Sequence, residues 1–117
     1  MTDIRINMDQ KNAVVGADIT GTVTINYDGR FDGIQLNTYI TGANDQVLFT
    51  DIDGKKISFT ARIYVGKDAI GDKRLLKFTA RVERSSKEES RIRFRTAMIQ
   101  EHKEIASDTV FLPLRAR

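Results

Sequence analysis

The amino-acid sequence predicts an all-β antiparallel sandwich of about eight strands, with little or no helix. Three observations carry that expectation. Apolar residues recur at every second position in run after run, while no stretch of a dozen residues keeps a helical period. The runs are short and are separated by clusters of Gly, Asp, Asn and Ser, the residues of turns. The one proline, Pro113, lies near the C-terminal end, as suits a chain of strands.

The chain is organised around Val14 to Gly42. Ile19, Gly21, Val23, Ile25 and Tyr27 fall on one parity, and Ile34, Leu36, Thr38 and Ile40 fall on one parity of a second run. Side chains on a strand point to alternate faces, so each run offers one apolar face to a core. The linking residues 27–33 include Asp28, Gly29, Asp32 and Gly33, which predicts a hairpin.

The other elements follow in order. Asp3 to Met8 alternates Ile4, Ile6 and Met8 with polar residues, and Asp9 to Ala13 is a polar connection. Ala43-Asn44-Asp45 reads as a turn, Gln46 to Thr50 as a short strand, and Asp51 to Gly54 as a turn. Lys56 to Val65 reads as one strand, with Ile57, Phe59, Ala61, Ile63 and Val65 on one face and Ser58, Thr60, Arg62 and Tyr64 on the other. Gly66 to Lys73 is either a loop or one helical turn around Asp68–Ile70. Arg74 to Arg84 turns Leu76, Phe78, Ala80 and Val82 inward, and Ser85 to Ser90 fits a hairpin loop. Arg91 to Gln100 returns with Ile92, Phe94, Thr96 and Met98 inward. Residues 91–106 could be forced into a helix, but β-branched and aromatic residues at period two favour a strand. Glu101 to Glu104 makes a turn, and Ile105 to Leu112 closes the fold before Pro113 stops the ladder.

The 117 residues make a single domain, 1–117, long enough to bury a core without staples. With no cysteine, disulfides, thiolate metal sites and a cysteine nucleophile are excluded. The N-terminal segment has no apolar signal core, and no run approaches a membrane span, so a cytoplasmic location is expected. Net charge is only +3, but it is uneven. Residues 1–72 hold 7 Lys/Arg against 10 Asp/Glu, and residues 73–117 hold 12 against 6, which places a basic surface on the C-terminal half.

The segment VVGADITGTVTIN, with Gly16, Asp18, Gly21, Val23 and Ile25, resembles the opening motif of arrestin-fold proteins. Ile34, Leu36, Ile40 and Gly42 are similar to that family's next strand, and KISFTARIYV and LLKFTARVER look like its middle strands. The family pattern differs at Val15, where a proline is usual, and at GKDAIGDKR, where a Pro-rich segment is usual. Most members carry two such sandwiches, and this chain has room for one. The resemblance implies an immunoglobulin-like sandwich of arrestin-like type and a non-enzymatic role as adaptor, trafficking subunit or regulator.

Four features are candidate sites. The first is a basic face. Arg91, Arg93 and Arg95 share one parity of their strand, and Lys77 and Arg81 share the outward parity of the preceding one. If the two strands form a hairpin with Val82 opposite Ile92, Arg81 faces Arg93, and an anionic partner would relieve the repulsion. The plainer alternative is a solvated face whose charges discourage aggregation. The second is the set Asp28, Asp32, Asp45, Asp51 and Asp53, which calls to mind the Ca²⁺-binding loops of C2-type sandwiches. Calcium needs about six converging oxygens, and turn capping explains these aspartates more simply. The third, His102 between Glu101 and Lys103, has neither a nucleophile nor a second metal ligand to work with. The fourth is a strand edge, with Phe111, Leu112 and Leu114 either an exposed hook or the last core strand.

No phosphate loop, zinc spacing or dinucleotide fingerprint is present, and no cofactor is expected. Phe78 and Phe94 sit on the apolar parity, so the sequence offers no aromatic-interleaved platform for nucleic acid. The expected function is a non-enzymatic protein-binding or scaffolding module that uses a strand edge or the basic face. Its partner would be an acidic or phosphorylated protein, with an anionic membrane surface and self-association through an edge as further partners. A C2-like Ca²⁺ or anionic-membrane binder is the alternative.

Overall fold

The computed structural model describes residues 3–41, 47–83 and 89–115. It is an all-β sandwich of two five-stranded sheets. The strands are β1 (Ile4–Met8), β2 (Ala13–Val14), β3 (Ile19–Ile25), β4 (Gly33–Thr41), β5 (Leu48–Ile52), β6 (Lys55–Thr60), β7 (Arg62–Gly66), β8 (Leu75–Arg81), β9 (Glu89–Gln100) and β10 (Lys103–Arg115). A helical turn, α1 (Lys67–Ile70), is followed by a 3₁₀ turn at Gly71–Lys73, so the ambiguous segment is helical and plants Ile70 in the core. The first sheet has the order β1-β3-β8-β5-β6 and the second β2-β10-β9-β4-β7.

Period-two patterning is realised as burial. Ile19, Gly21, Val23 and Ile25 of β3 point inward, as do Ile34, Leu36 and Ile40 of β4 and Ile92, Phe94, Thr96 and Met98 of β9. The two inner faces meet at three rings. Phe78 lies 5.6 Å from Phe49 in an edge-to-face contact and 5.9 Å from Phe94, centroid to centroid, so the cluster spans both sheets. Gly21, opposite Phe78 on β3, makes room for that ring: a Cβ there would lie 2.5 Å from the ring and 2.9 Å from the Asn7 carbonyl oxygen.

The connections depart from the expected hairpins. β3 pairs with β1 and β8, whereas β4 pairs with β9 and β7, so residues 26–32 carry the chain from one sheet to the other. The crossing is pinned at both ends. Asn26 N donates to Asp3 O of the first sheet's rim, and Asp32 N donates to Ile99 O of β9. Two runs that are each apolar on one face can share a core by facing each other as well as by lying side by side.

The run Lys56 to Val65 likewise divides. Thr60 Oγ1 donates to Arg62 O and accepts from Arg62 N, closing a corner at Ala61 that sends β6 into the first sheet and β7 into the second. β8 and β9 also lie in different sheets and do not form a hairpin. The expected turn at Ala43-Asn44-Asp45 and most of the expected loop Ser85 to Ser90 lie outside the described residues.

Two genuine hairpins remain. Asp53-Gly54 turns β5 into β6 with positive φ at both residues, and Glu101-His102 turns β9 into β10 in the same way. β5 therefore runs on to Ile52, past the expected turn start at Asp51. Pro113 does not stop the last ladder, because β10 continues to Arg115 and adds β2 in parallel. Arg115 offers its carbonyl to Val15 N on the β2 side, and Pro113, two residues earlier, shares that side. Its missing N–H therefore costs the β9 ladder nothing.

Gly21→Ala should destabilise the sandwich by ~1–3 kcal/mol, because a ring and a backbone carbonyl must both give way. In urea titration the midpoint should fall with an unchanged slope. An unmoved midpoint would show that the Phe78 contact is slack.

Candidate functional site

Alternation along β9 sends Arg91, Arg93 and Arg95 to the outer face of the second sheet, as the sequence predicts. Lys77 and Arg81 are on β8 and face outward from the first sheet, on the opposite side of the molecule. The five residues therefore do not make one basic face. The expected Arg81–Arg93 pair requires a β8–β9 hairpin, and the two strands lie in different sheets instead. Arg81 is occupied on its own side, with Nη2 donating to Asp18 Oδ1 at 2.7 Å. Lys77 stands across from Thr22.

What surrounds the β9 arginines comes from other strands. In register order, Arg95 has Asn37 on β4 and Thr109 on β10, Arg93 has Tyr39 and Phe111, and Arg91 has Thr41 and Pro113. β7 adds Arg62 beside Asn37 and Tyr64 beside Gln35. The Arg93 guanidinium lies 5.7 Å from the centre of the Tyr39 ring, and that of Arg91 lies 5.6 Å from the Phe111 ring. Tyr39, Tyr64 and Phe111 are 55%, 52% and 49% exposed, so arginines and open aromatic rings interleave on this face. This face thus carries arginines beside exposed rings that the parity of Phe78 and Phe94 does not predict. Its rings are Tyr39, Tyr64 and Phe111, supplied by flanking strands, while Phe78 and Phe94 remain in the core.

The charges on the face are unequal in availability. Arg95 forms a bidentate pair with Glu104, Nη1 to Oε2 at 3.0 Å and Nη2 to Oε1 at 2.5 Å. Those hydrogen bonds raise the Arg95 pKa and hold the Glu104 carboxyl below its ordinary range. Arg62 Nε donates to Asn37 Oδ1 at 3.1 Å, which uses no carboxylate. The Arg93 Nε is buried without a hydrogen-bond acceptor. Among the described residues, Arg95 is the only one of the three β9 arginines in an ion pair. Between these side chains is a depression of about 580 Å³ over Asn37, walled by Tyr39, Arg62, Arg93, Arg95 and Glu104.

Tyr64 leans over Gly33. A Cβ at Gly33 would sit 2.5 Å from both the Tyr64 Oη and the Val65 carbonyl oxygen, so the bare backbone is what lets this ring lie close to the sheet.

The other candidates resolve separately. Asp28 pairs with Arg74, Asp32 Oδ2 accepts from Glu101 N, and Asp53 Oδ1 accepts from Lys77 N. Asp45 lies outside the described residues. Among the described residues, no three His, Cys, Asp or Glu side chains converge as a metal site. His102 is exposed in a tight turn. Leu112 and Leu114 are buried, so the C-terminal run belongs to the core, with Phe111 alone of the three apolar residues turned out.

No protein-family model matches the chain, and no curated protein matches it significantly. Among solved structures, the fold is similar to a conjugative transposon lipoprotein from Bacteroides eggerthii, with a TM-score of 0.54, 6% identity and 96% of each chain covered. At that identity the likeness is one of fold alone. The human F-spondin reeler domain aligns with a TM-score of 0.45 and 8% identity over 99% of this chain and 82% of its own. The Reelin-N domain of F-spondin aligns at 0.42 and 9% over 98% and 78%. None of the three is named as an arrestin, and the arrestin-like subtype rests on the resemblance of residues 14–42.

The Arg95–Glu104 pair generates a pH-dependent expectation. Because the carboxyl is held low in the folded state, its contribution is complete above the ordinary carboxylate range, about pH 4.3 for Glu. It is lost as pH falls through the lowered value. Glu104→Gln should therefore cost a few tenths of a kcal/mol near neutral pH, where the pair is partly solvated, and less as the pH falls. Urea midpoints of both proteins at pH 7 and pH 3 check this, and an equal gap at both values would remove the ion pair as its cause.

Proposed function

We propose that this chain is a non-enzymatic binding or scaffolding module of adaptor type, and that it holds an anionic partner against the outer face of the second sheet. The observation that carries this reading is the juxtaposition on β7, β4, β9 and β10 of Arg62, Arg93 and Arg91 with exposed Tyr39, Tyr64 and Phe111. Guanidinium forks fit carboxylate and phosphate groups, and rings beside them give a partner apolar area to cover. An acidic or phosphorylated protein segment is the first partner to test.

Two of the four edge strands are poor docking sites: β2 offers only two residues, and on β1 the Ile6 N–H already donates to Asp108 Oδ2 at 2.9 Å. A third edge, β7, carries Arg62 and Tyr64 and so borders the same face. The arrestin-like resemblance of residues 14–42 supports an adaptor by analogy. No helix among the described residues is long and apolar enough to cross a membrane. A cytoplasmic setting is part of the proposal.

Fluorescence anisotropy with a labelled oligoglutamate peptide at low salt tests the reading. Arg91→Glu/Arg93→Glu/Arg95→Glu should weaken binding by at least about tenfold, ~1.4 kcal/mol. Lys77→Glu, on the other sheet, should change it by less than about twofold. Equal effects per reversed charge, the triple variant changing charge three times as much as Lys77→Glu, would mean that only net charge matters, and the assigned face would fall.

A further inference from the structure

We infer that the depression over Asn37 is a subsite for an acidic oligosaccharide, a short run of sugar rings bearing carboxylate or sulfate groups. The inference rests on the reading of this face as the binding surface and names the chemistry of its ligand.

The residue types around the depression are those a charged polyol requires. Gln35 and Asn37 stand two apart on β4, so both amides project from the same face of the sheet. Each amide carries donors and an acceptor, the combination that pairs with vicinal hydroxyls. Asn37 Oδ1 accepts from Arg62 Nε, and its NH₂ group makes no hydrogen bond among the described residues. Tyr39, two residues further along β4, and Tyr64, opposite Gln35 on β7, supply two exposed rings at the ends of this row. Such rings offer flat apolar area and a hydroxyl, and the carbon-bound hydrogens of a sugar face can lie against them. From Gln35 to Tyr39 the strand spans about 13 Å, the length of two to three sugar units laid end to end. The cavity of about 580 Å³ is of matching size.

Charge completes the argument. Arg62 and Arg93 flank the amide row without carboxylate partners among the described residues, and the buried Arg93 Nε has no acceptor. Arg95 is neutralised by Glu104. The subsite therefore carries about two uncompensated positive charges, those of Arg62 and Arg93. Two isolated charges beside an amide row suit a polyol with intermittent charge better than the closely spaced phosphates of a nucleic acid. Acidic side chains of a peptide satisfy the arginines but bring no vicinal hydroxyls to the amide row.

The test is titration calorimetry of the full chain with trigalacturonate, a heparin-derived tetrasaccharide, neutral cellotriose and the oligoglutamate peptide. At least one acidic oligosaccharide should bind about tenfold or more tightly than cellotriose. Arg62→Gln/Arg93→Gln should abolish that preference, and Tyr39→Ala should weaken sugar binding while leaving oligoglutamate binding within about twofold. Preference for the carboxylated or the sulfated sugar identifies which anion the arginines take, and either supports the subsite. Binding of oligoglutamate with no binding of either acidic sugar overturns the sugar inference and leaves the anionic-partner reading standing. Binding of nothing overturns both. Tyr64→Ala is a second variant that removes this exposed ring and leaves the β4–β7 backbone pairing in place. It should weaken sugar binding at an unchanged fold by far-ultraviolet dichroism, and unchanged affinity in that variant would remove Tyr64 from the subsite.

Discussion

The contact of Phe78 with Phe49 and Phe94 is the constraint on which the outer surfaces depend. Phe49 and Phe78 belong to one sheet and Phe94 to the other, so their packing sets how the two sheets face each other. Once the even-numbered side chains of β9 are committed to that interior, the odd-numbered ones take the outer face, where Arg91, Arg93 and Arg95 reach solvent while Ala97 and Ile99 are covered. Arg91, Arg93 and Arg95 are a basic row because Ile92, Phe94 and Thr96 are a core row. Thr96 is the buried polar member, and its hydroxyl is satisfied by donation to Gln35 O.

The outer face is then assembled from strands distant in sequence. β9 is central in its sheet, with β10 on one side and β4 on the other, and β7 lies beyond β4. Each arginine stands beside a residue of a different chemical kind. Arg95 meets a carboxylate, Arg93 and Arg91 meet aromatic faces, and Arg62 meets an amide. Like charges on one strand face repel, and these neighbours are what makes the row tolerable: an ion pair at one end, and quadrupole attraction along the rest. Asn37, in register with Arg62 on one side and Arg95 on the other, lines a depression between these taller side chains.

Much of the fold was legible in the sequence, since burial follows parity in nearly every run. The sandwich class, the inward sets of β3, β4, β8 and β9, and the tight turn at Asp53-Gly54 could all be read directly. Sheet membership could not. β3 and β4 look like a hairpin because each has an apolar face and a Gly/Asp-rich link lies between them, but strands in a hairpin and strands facing across a core have the same pattern. The corner at Ala61 is equally silent, because the parity of Lys56 to Val65 is unbroken through it and a single hydroxyl, that of Thr60, closes the bend. Glu101-His102 carries no glycine, and its strained turn is stabilised by Asp32, a residue far away in sequence.

By itself, then, the sequence determined which side chains are inside and which are outside, because alternation along a strand is a local property of the backbone. It placed Arg91, Arg93 and Arg95 on one surface for that reason. Only the tertiary structure decided what shares that surface. It removed Lys77 and Arg81 to the opposite face and brought in Tyr39, Arg62, Tyr64 and Phe111. Strand neighbours are chosen by long-range pairing and by which connections cross the core, and no local pattern encodes that choice.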